Sequence, residues 1–405
     1  MIKFIDSGVC AAKGFTAGGI YAGIKKNPDK KDLAIIHCVK KCNAAALFTT
    51  NKVKAAPVLL SMQNIKDGMA QAVVVNSGNA NACNSNGMQV ASRMAELTAQ
   101  SLGIDKNDVI VSSTGVIGQP MPLEPLETGI PMLAAEIHQL GSDSAVAAIM
   151  TTDTFPKSFA VEFELGGLTC HVGGIAKGSG MINPNMATML SFITTDVKIS
   201  SFMLEQALRE VNEATFNRVS VDGDTSTNDM VCILASGLAG NSEITEDSAD
   251  CKAFVEALYS VMVNLAREVA RDGEGATKLV ECVVKGAHDE EVAKSVAKSV
   301  ISSSLVKSAL GAADANWGRI LCAIGYADGQ FAIDKVQVTI ASSKGEIIVC
   351  KDGSSILFSE ERAFEILSED EIRLIVDLHS GECESVAWGC DLTEEYVRIN
   401  ADYRS

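Results

Sequence analysis

The stretch Gly178-Ser179-Gly180-Met181-Ile182-Asn183-Pro184-Asn185-Met186-Ala187-Thr188-Met189-Leu190-Ser191-Phe192-Ile193-Thr194-Thr195 joins a glycine-rich segment to a strand-like run. Glycine permits positive φ and proline holds φ near one value, so the chain ahead of Thr188 reads as a constrained turn. From Thr188 to Thr195 the residues alternate weakly and are rich in apolar and β-branched types, which predicts a strand. The small Ala187 before a threonine at the head of that strand points to a particular chemistry. If the Ala187–Thr188 bond breaks, Thr188 becomes an N-terminal residue with a hydroxyl nucleophile beside its own amine. An α-amino group titrates at about 8, so near neutral pH a useful fraction can accept the hydroxyl proton. Nucleophile and general base then sit on one residue. The same residues also fit a plainer reading, a Gly-rich loop entering a core strand in which Thr188 has no special role.

Outward from this stretch, helices and strands interleave. Val90, Met94 and Leu97 recur at helical spacing with Gly103 as a stop, and Asp108–Ser113 then reads as a strand leading to Thr114-Gly115. Ser158–Leu165 and Leu168–Gly173 flank Gly166-Gly167, a two-residue hairpin signal. Leu204, Leu208 and Val211 mark one further helix, and Phe254, Leu258, Val261, Leu265 and Val269 a longer one ending near Gly273. Met230–Ala235 reads as a buried strand. Val336, Val338 and Ile340 alternate, and Gly345–Val349 follows a turn, so the C-terminal part is expected to be strand-rich. Hairpins interrupting the helix and strand alternation predict an α/β (α+β) fold with mixed or antiparallel sheets rather than a doubly wound parallel one.

Composition narrows the function classes. At 405 residues the chain has ample length for a large core and for two or three domains. A net charge of -17 disfavours nucleic acid and anionic membrane surfaces, which attract basic patches. The N-terminus lacks the apolar run of a signal peptide, and no later stretch is apolar enough to span a bilayer, so a soluble cytoplasmic protein is expected. The 12 cysteines are scattered without a Cys-x-x-Cys pair or zinc-type histidine spacing, which predicts free, mostly buried thiols and no metal centre.

Two further features bear on chemistry. Attack of a hydroxyl on a carbonyl needs donors aimed at the developing oxyanion. Thr114-Gly115 offers a hydroxyl and an unobstructed backbone N–H, with Gly115 and Gly118 allowing close approach; an ordinary strand-ending turn is the alternative. Lys177 and Glu274 are single charges within Gly-rich segments, suited either to a carboxylate and an ammonium of a small substrate or to simple solvation. Two lookalikes fall away. Gly173–Ser179 lacks the Gly-Lys-Ser/Thr ending of a phosphate loop. Asp222–Asp229 has calcium-loop spacing without the required glycine and terminal glutamate, and reads instead as an Asx-rich turn supporting an active site.

The run Met181–Leu190 followed by Phe192-Ile193-Thr194-Thr195-Asp196 closely resembles the signature of the glutamate N-acetyltransferases, also called ornithine acetyltransferases, of arginine biosynthesis. Lys13-Gly14-Phe15, Phe48–Pro57, Asn76–Cys83, Ser112–Gly118, Thr151-Thr152-Asp153-Thr154 and Asp314–Arg319 are similar to further blocks of that family, in order, so the resemblance runs from residue 13 to the C-terminus. It implies helices outside two stacked sheets, laid out as in N-terminal-nucleophile hydrolases, with a smaller C-terminal lobe. It also implies autocatalytic cleavage between Ala187 and Thr188, giving pieces 1–187 and 188–405. By the same resemblance Thr188 is the nucleophile and Thr114 and Gly115 form the oxyanion hole. Lys177, Glu274, either Thr151 or Thr152, Thr188, Asn400 and the terminal Ser405 contact substrate. The implied reaction is ping-pong acetyl transfer from N-acetylornithine to glutamate without a cofactor, with acetyl-CoA as a second donor in some relatives, in a heterotetramer of two cleaved protomers. Other classes remain in view: a related N-terminal-nucleophile aminopeptidase or amidase, and a non-enzymatic relative that keeps the fold without processing.

Overall fold

The strand expected after the glycine-rich turn is present as Leu190–Thr195, and all of its residues are buried. It belongs to a computed structural model that describes residues 1–183 and 189–401; Ala187, Thr188 and Ser405 lie outside the described residues. The described chain divides into two units. The first takes the described residues of Met1–Gly178, Pro184–Asn217 and Thr225–Leu265, and the second those of Ser179–Asn183, Arg218–Asp224 and Ala266–Ser405.

In the first unit, among the described residues, nine strands form one mixed sheet. Its order is Lys3–Ile5, Lys157–Leu165, Leu168–Lys177, Leu190–Thr195, Met230–Ala235, Leu33–Phe48, Met69–Asn79 and Val109–Val116, with Phe15–Ile20 paired to Leu33–Phe48. The Gly166-Gly167 hairpin joins its two strands in antiparallel register, Leu165 opposite Leu168, with both glycines at positive φ. Met230–Ala235 runs parallel to Leu190–Thr195 and antiparallel to Leu33–Phe48, so the sheet is mixed as its sequence predicts.

Both faces of this sheet are covered, which is why its central strands read as nearly continuous apolar runs. Ala34, Ile36, Val73, Val75 and Ile110 pack with the short helix Ser142–Ile149. Their neighbours Leu33, Ile35, Val74, Val109 and Val111 pack on the other face against the helices Gly87–Leu102 and Glu124–Glu136. The period-2 alternation of a strand divides them between the two cores. The helix Gly87–Leu102 ends as expected, with Gly103 left-handed at φ 68° and its N–H on the Ala99 carbonyl.

The second unit holds a seven-stranded sheet, ordered Ser354–Ser355, Gly345–Lys351, Gln337–Ser342, Glu371–Asp377, Leu279–Ala287, Cys383–Cys390 and Val219–Ser220. Its core includes Val338, Ile340, Leu374, Val376 and Val284, packed with the helices Glu290–Ser302, Trp317–Gly325 and Glu360–Leu367. In Glu290–Ser302, Asp289 accepts from the Val292 N–H as N-cap, and Glu290 and Glu291 complement the first turn. Val292, Val296 and Val300 repeat every fourth position on the buried face. Burial of each is worth about 1.5–3 kcal/mol. That packing fixes the helix which carries Lys298.

All 12 cysteines are free, and eight of them are buried. Among the described residues no helix is long and apolar enough to cross a membrane.

Candidate active site

In the first unit Lys177 joins Thr114 on one side to a buried carboxylate, which also holds Thr151, on the other. Strands Met69–Asn79 and Val109–Val116 run parallel until Gly78 meets Gly115, where the register slips and Asn79 pairs with both Thr114 and Val116. Gly78 has φ 100° and Gly115 φ 129°, and a Cβ on Gly115 would overlap the Gly78 carbonyl carbon. Only glycine permits this approach with this backbone. Thr114 and Gly115 therefore lie within the strand's irregular end rather than in a free turn. Asn228 donates to the Ser113 and Ala80 carbonyls at 2.8 and 2.6 Å, and the Ser113 hydroxyl donates to Asn76 at 2.5 Å, so side-chain amides hold the backbone around Thr114. The Asx-rich turn expected near Asp222–Asp229 thus supports this loop through Asn228.

Lys177 is the last residue of the strand Leu168–Lys177 and is only 8% exposed, which rules out a solvated turn charge. Its Nζ donates to Thr114 Oγ1 at 3.3 Å. Beside it, Asp153 accepts from Lys157 Nζ at 2.8 Å, from the Gly178 N–H at 2.8 Å and from the Thr151 N–H at 2.9 Å. Burial by itself would raise the Asp153 carboxyl. The Lys157 and Lys177 charges and these hydrogen bonds outweigh it and hold the group well below the usual carboxylate range. The side chains of Asp153 and Lys157 are fully buried, so each needs the other. Asp153 ties the Thr151–Thr152 loop to the end of the strand that bears Lys177. Thr151 and Thr152 follow the helix Ser142–Ile149 and are both half-buried.

Two further residues bear on this unit: Lys25, which carries no signal in the sequence reading, and Asp229, which the sequence reading placed only within an Asx-rich turn. Lys25 Nζ donates to the Met150 and Lys31 carbonyls, both at 2.7 Å, which secures the start of the same loop. Burial lowers the Lys25 ammonium to about 8, with Asp32 and Asp153 opposing the shift. Asp229 is buried beside Thr49, and burial pushes its carboxyl well above the ordinary value. Among the described residues its Oδ2 has no hydrogen-bond partner, which suits a neutral carboxyl group.

The second unit brings Glu274 and Asn400 together. Asn400 Nδ2 donates to Glu274 Oε2 at 2.7 Å and to the Tyr396 carbonyl at 3.0 Å, from the helix Glu394–Ala401. Glu274 is buried, and its N–H donates to the Ser179 carbonyl at 3.0 Å. A Cβ on Gly180 would overlap the Glu274 carboxylate, so glycine there lets the carboxylate lie against the main chain. Asp222 accepts from the Met181 N–H at 2.6 Å and the Ile182 N–H at 2.9 Å, and Tyr396 donates to it at 3.3 Å. Burial, then the Asp222 carboxylate, pushes the Tyr396 hydroxyl well above its ordinary value.

The first unit sets the half-buried Thr114 hydroxyl against the buried Lys177 ammonium next to a strained glycine pair, and the second unit separately holds the buried Glu274 carboxylate against the Asn400 amide. Comparison with known proteins gives the family. The ArgJ family model matches residues 16–405.

The chain belongs to the ArgJ family.

It is 49% identical over 406 residues to the arginine biosynthesis bifunctional protein ArgJ of Symbiobacterium thermophilum, covering all of both chains. It is 48% identical over 405 residues to that of Caldanaerobacter subterraneus subsp. tengcongensis, again covering all of both. The crystal structure of ArgJ from Bacillus halodurans is 47% identical and matches with a TM-score of 0.50, covering 52% of this chain and 97% of that one. Family membership fixes the activity class. This ArgJ-family chain is an enzyme of arginine biosynthesis, an acyltransferase that acts as a glutamate N-acetyltransferase.

Proposed function

We propose that the chain cleaves itself before Thr188 and then moves an acetyl group from N-acetylornithine to glutamate by a ping-pong mechanism, in the cytoplasm. In the cleavage, the Thr188 hydroxyl oxygen attacks the Ala187 carbonyl carbon. The Ala187–Thr188 C–N bond breaks as an ester forms, and the departing nitrogen takes the hydroxyl proton. Water hydrolyses the ester, leaving a carboxylate on Ala187 and a free amine and hydroxyl on Thr188. The products are pieces 1–187 and 188–405.

In transfer, the Thr188 amine takes the hydroxyl proton while the oxygen attacks the acetyl carbonyl of N-acetylornithine. The oxyanion is met by the Thr114 hydroxyl and the Gly115 N–H; such donors typically contribute about 2.7–4 kcal/mol each to the transition state. The C–N bond of the donor breaks, its nitrogen is protonated, and ornithine leaves. The amine of glutamate then attacks the acetyl ester, giving N-acetylglutamate and regenerating Thr188. Lys177 pairs with a substrate carboxylate and Glu274 with its ammonium. Asn400, Ser405 and either Thr151 or Thr152 add hydrogen bonds. Acetyl-CoA serves as a second donor to the same nucleophile, and two cleaved protomers assemble as a heterotetramer.

The observation that carries this reading is the buried Lys177 ammonium on Thr114 Oγ1 at 3.3 Å, beside a Gly115 whose φ of 129° excludes other residues. A hydroxyl polarised by a buried cation, followed by a glycine N–H, supports an oxyanion-hole role for this pair. Mass spectrometry of the purified protein, with and without N-acetylornithine, tests the proposal. A fragment beginning at Thr188 and gaining one acetyl group is expected, and Thr188→Ala should stay in one piece. A single uncleaved wild-type chain with full activity would overturn it.

A further inference from the structure

The chain just ahead of the proposed cleavage point is gripped with unusual completeness within the second unit. Met181 and Ile182 both donate their N–H groups to the one Asp222 carboxylate, at 2.6 and 2.9 Å. The Ile182 carbonyl accepts from the Val221 N–H at 2.7 Å. Asn183 Nδ2 donates to the Gly223 carbonyl at 3.0 Å, and Asn183 Oδ1 accepts from Lys298 Nζ at 3.1 Å. Lys298 also donates to the Val219 carbonyl at 3.0 Å, so it joins both sides of the grip. Met181 is held at φ 56°, a left-handed conformation that a residue with a side chain adopts only when its surroundings impose it.

The proposed acetyl transfer makes no use of Lys298 or Asp222. Burial and the neighbouring Lys294 and Arg218 charges lower the Lys298 ammonium to about 7, so the fold holds a lysine where charge is disfavoured.

We propose that Lys298 and Asp222 are positioning residues for self-cleavage: they fix the backbone of Met181–Asn183 and so anchor one end of the segment that contains the bond broken before Thr188. The inference rests on the cleavage reading above. An intramolecular attack depends on how narrowly its reacting groups are held, and loss of restraint well away from the reacting atoms can cost about a hundredfold in rate. Lys298→Met removes the donor to Asn183 and Val219 while keeping most of the side-chain volume. Asp222→Asn is isosteric but cannot accept both backbone N–H groups equally. Neither side chain supplies the nucleophile, the base or the oxyanion donors.

The test follows the intact chain and its two pieces through time after pulse-labelled synthesis, by denaturing electrophoresis and mass spectrometry. Lys298→Met and Asp222→Asn are each expected to slow the break at least tenfold. Unfolding midpoints should stay close to that of uncleaved Thr188→Ala. Lys298→Met chains that do break should transfer acetyl at the wild-type kcat, a separation that general damage to the fold would not give. Wild-type breakage with Lys298→Met and Asp222→Asn keeping pace would overturn the positioning role and leave the cleavage reading intact. A wild-type chain that never breaks would overturn the cleavage reading and this inference with it. Should Lys298→Met fail to fold, the isosteric Asp222→Asn decides the matter by the same criterion.

Discussion

The polar groups of the two units are built on different electrostatic plans. Around Asp153 in the first unit, a fully buried carboxylate is shared by main-chain N–H groups and Lys157, with Lys177 close enough to help hold it ionised. Around Glu274 and Asp222 in the second unit, carboxylates are met by neutral donors: the Asn400 amide, the Tyr396 hydroxyl and backbone N–H groups. The first plan is rigid and intolerant of losing either charge. In the second, no ion pair to Glu274 or Asp222 is formed among the described residues, which supports the proposed contact of Glu274 with a substrate ammonium.

The contrast can be broken most sharply at Asp153. Asp153→Asn removes the carboxylate that pairs with the buried Lys157 and should cost roughly 3–5 kcal/mol of stability by denaturant unfolding. The pH profile adds a check. Because the folded state depresses the Asp153 carboxyl, its contribution is complete above the unfolded value near 4 and is lost as pH falls below it, so Asp153→Asn should flatten the acid limb of the stability curve. Next in size, Gly115→Ala forces a methyl against Gly78 at a positive φ and should lower kcat by about 10²–10³, read by initial rates at saturating donor.

Glu274→Gln tests the other plan. It keeps the size of the side chain and should raise KM for the amino-acid substrate by about ten- to a hundredfold, matching the 1.5–3 kcal/mol of a hydrogen bond to a charged group, with little change in unfolding midpoint. An equal loss of stability at Glu274 and Asp153 would erase the distinction between the units. The last prediction concerns Lys25→Met, whose effect is confined to alkaline pH. Folding lowers the Lys25 ammonium to about 8, so the wild-type chain gains stability as pH rises from 8 toward 10.5, and the variant should lack that rise in thermal melts across the range.

Much of the fold was legible because its signals are local. Val90, Met94 and Leu97 ahead of Gly103 mark a helix and its stop, and Gly166-Gly167 marks a hairpin, without knowledge of anything distant. Thr114 and Gly115 were legible as residues at the end of a strand, although their place inside a slipped strand pair depends on Gly78, far away in sequence. Lys177 and Glu274 were read as candidates with solvation as the alternative, and burial excludes the solvated alternative for both. Lys25, Asp153 and Lys298 were not legible as working parts. A lysine or aspartate in a polar stretch looks solvated until tertiary structure removes the water, and their partners come from other segments or from main-chain atoms that carry no sequence signal. Thr188, Ala187 and Ser405 lie outside the described residues, so the sequence alone speaks for them.

The contact between Lys298 and Asn183 spans 115 positions, and that separation has a meaning in time. Synthesis at about 5–20 residues per second delivers the lysine roughly 6–23 s after the asparagine. A nascent chain carries the threonine and its preceding alanine well before it owns the side chain that anchors the segment upstream. The contact cannot close until the helix Glu290–Ser302 has left the ribosome, so on the proposed reading the order of translation would hold back self-cleavage until that helix has been made.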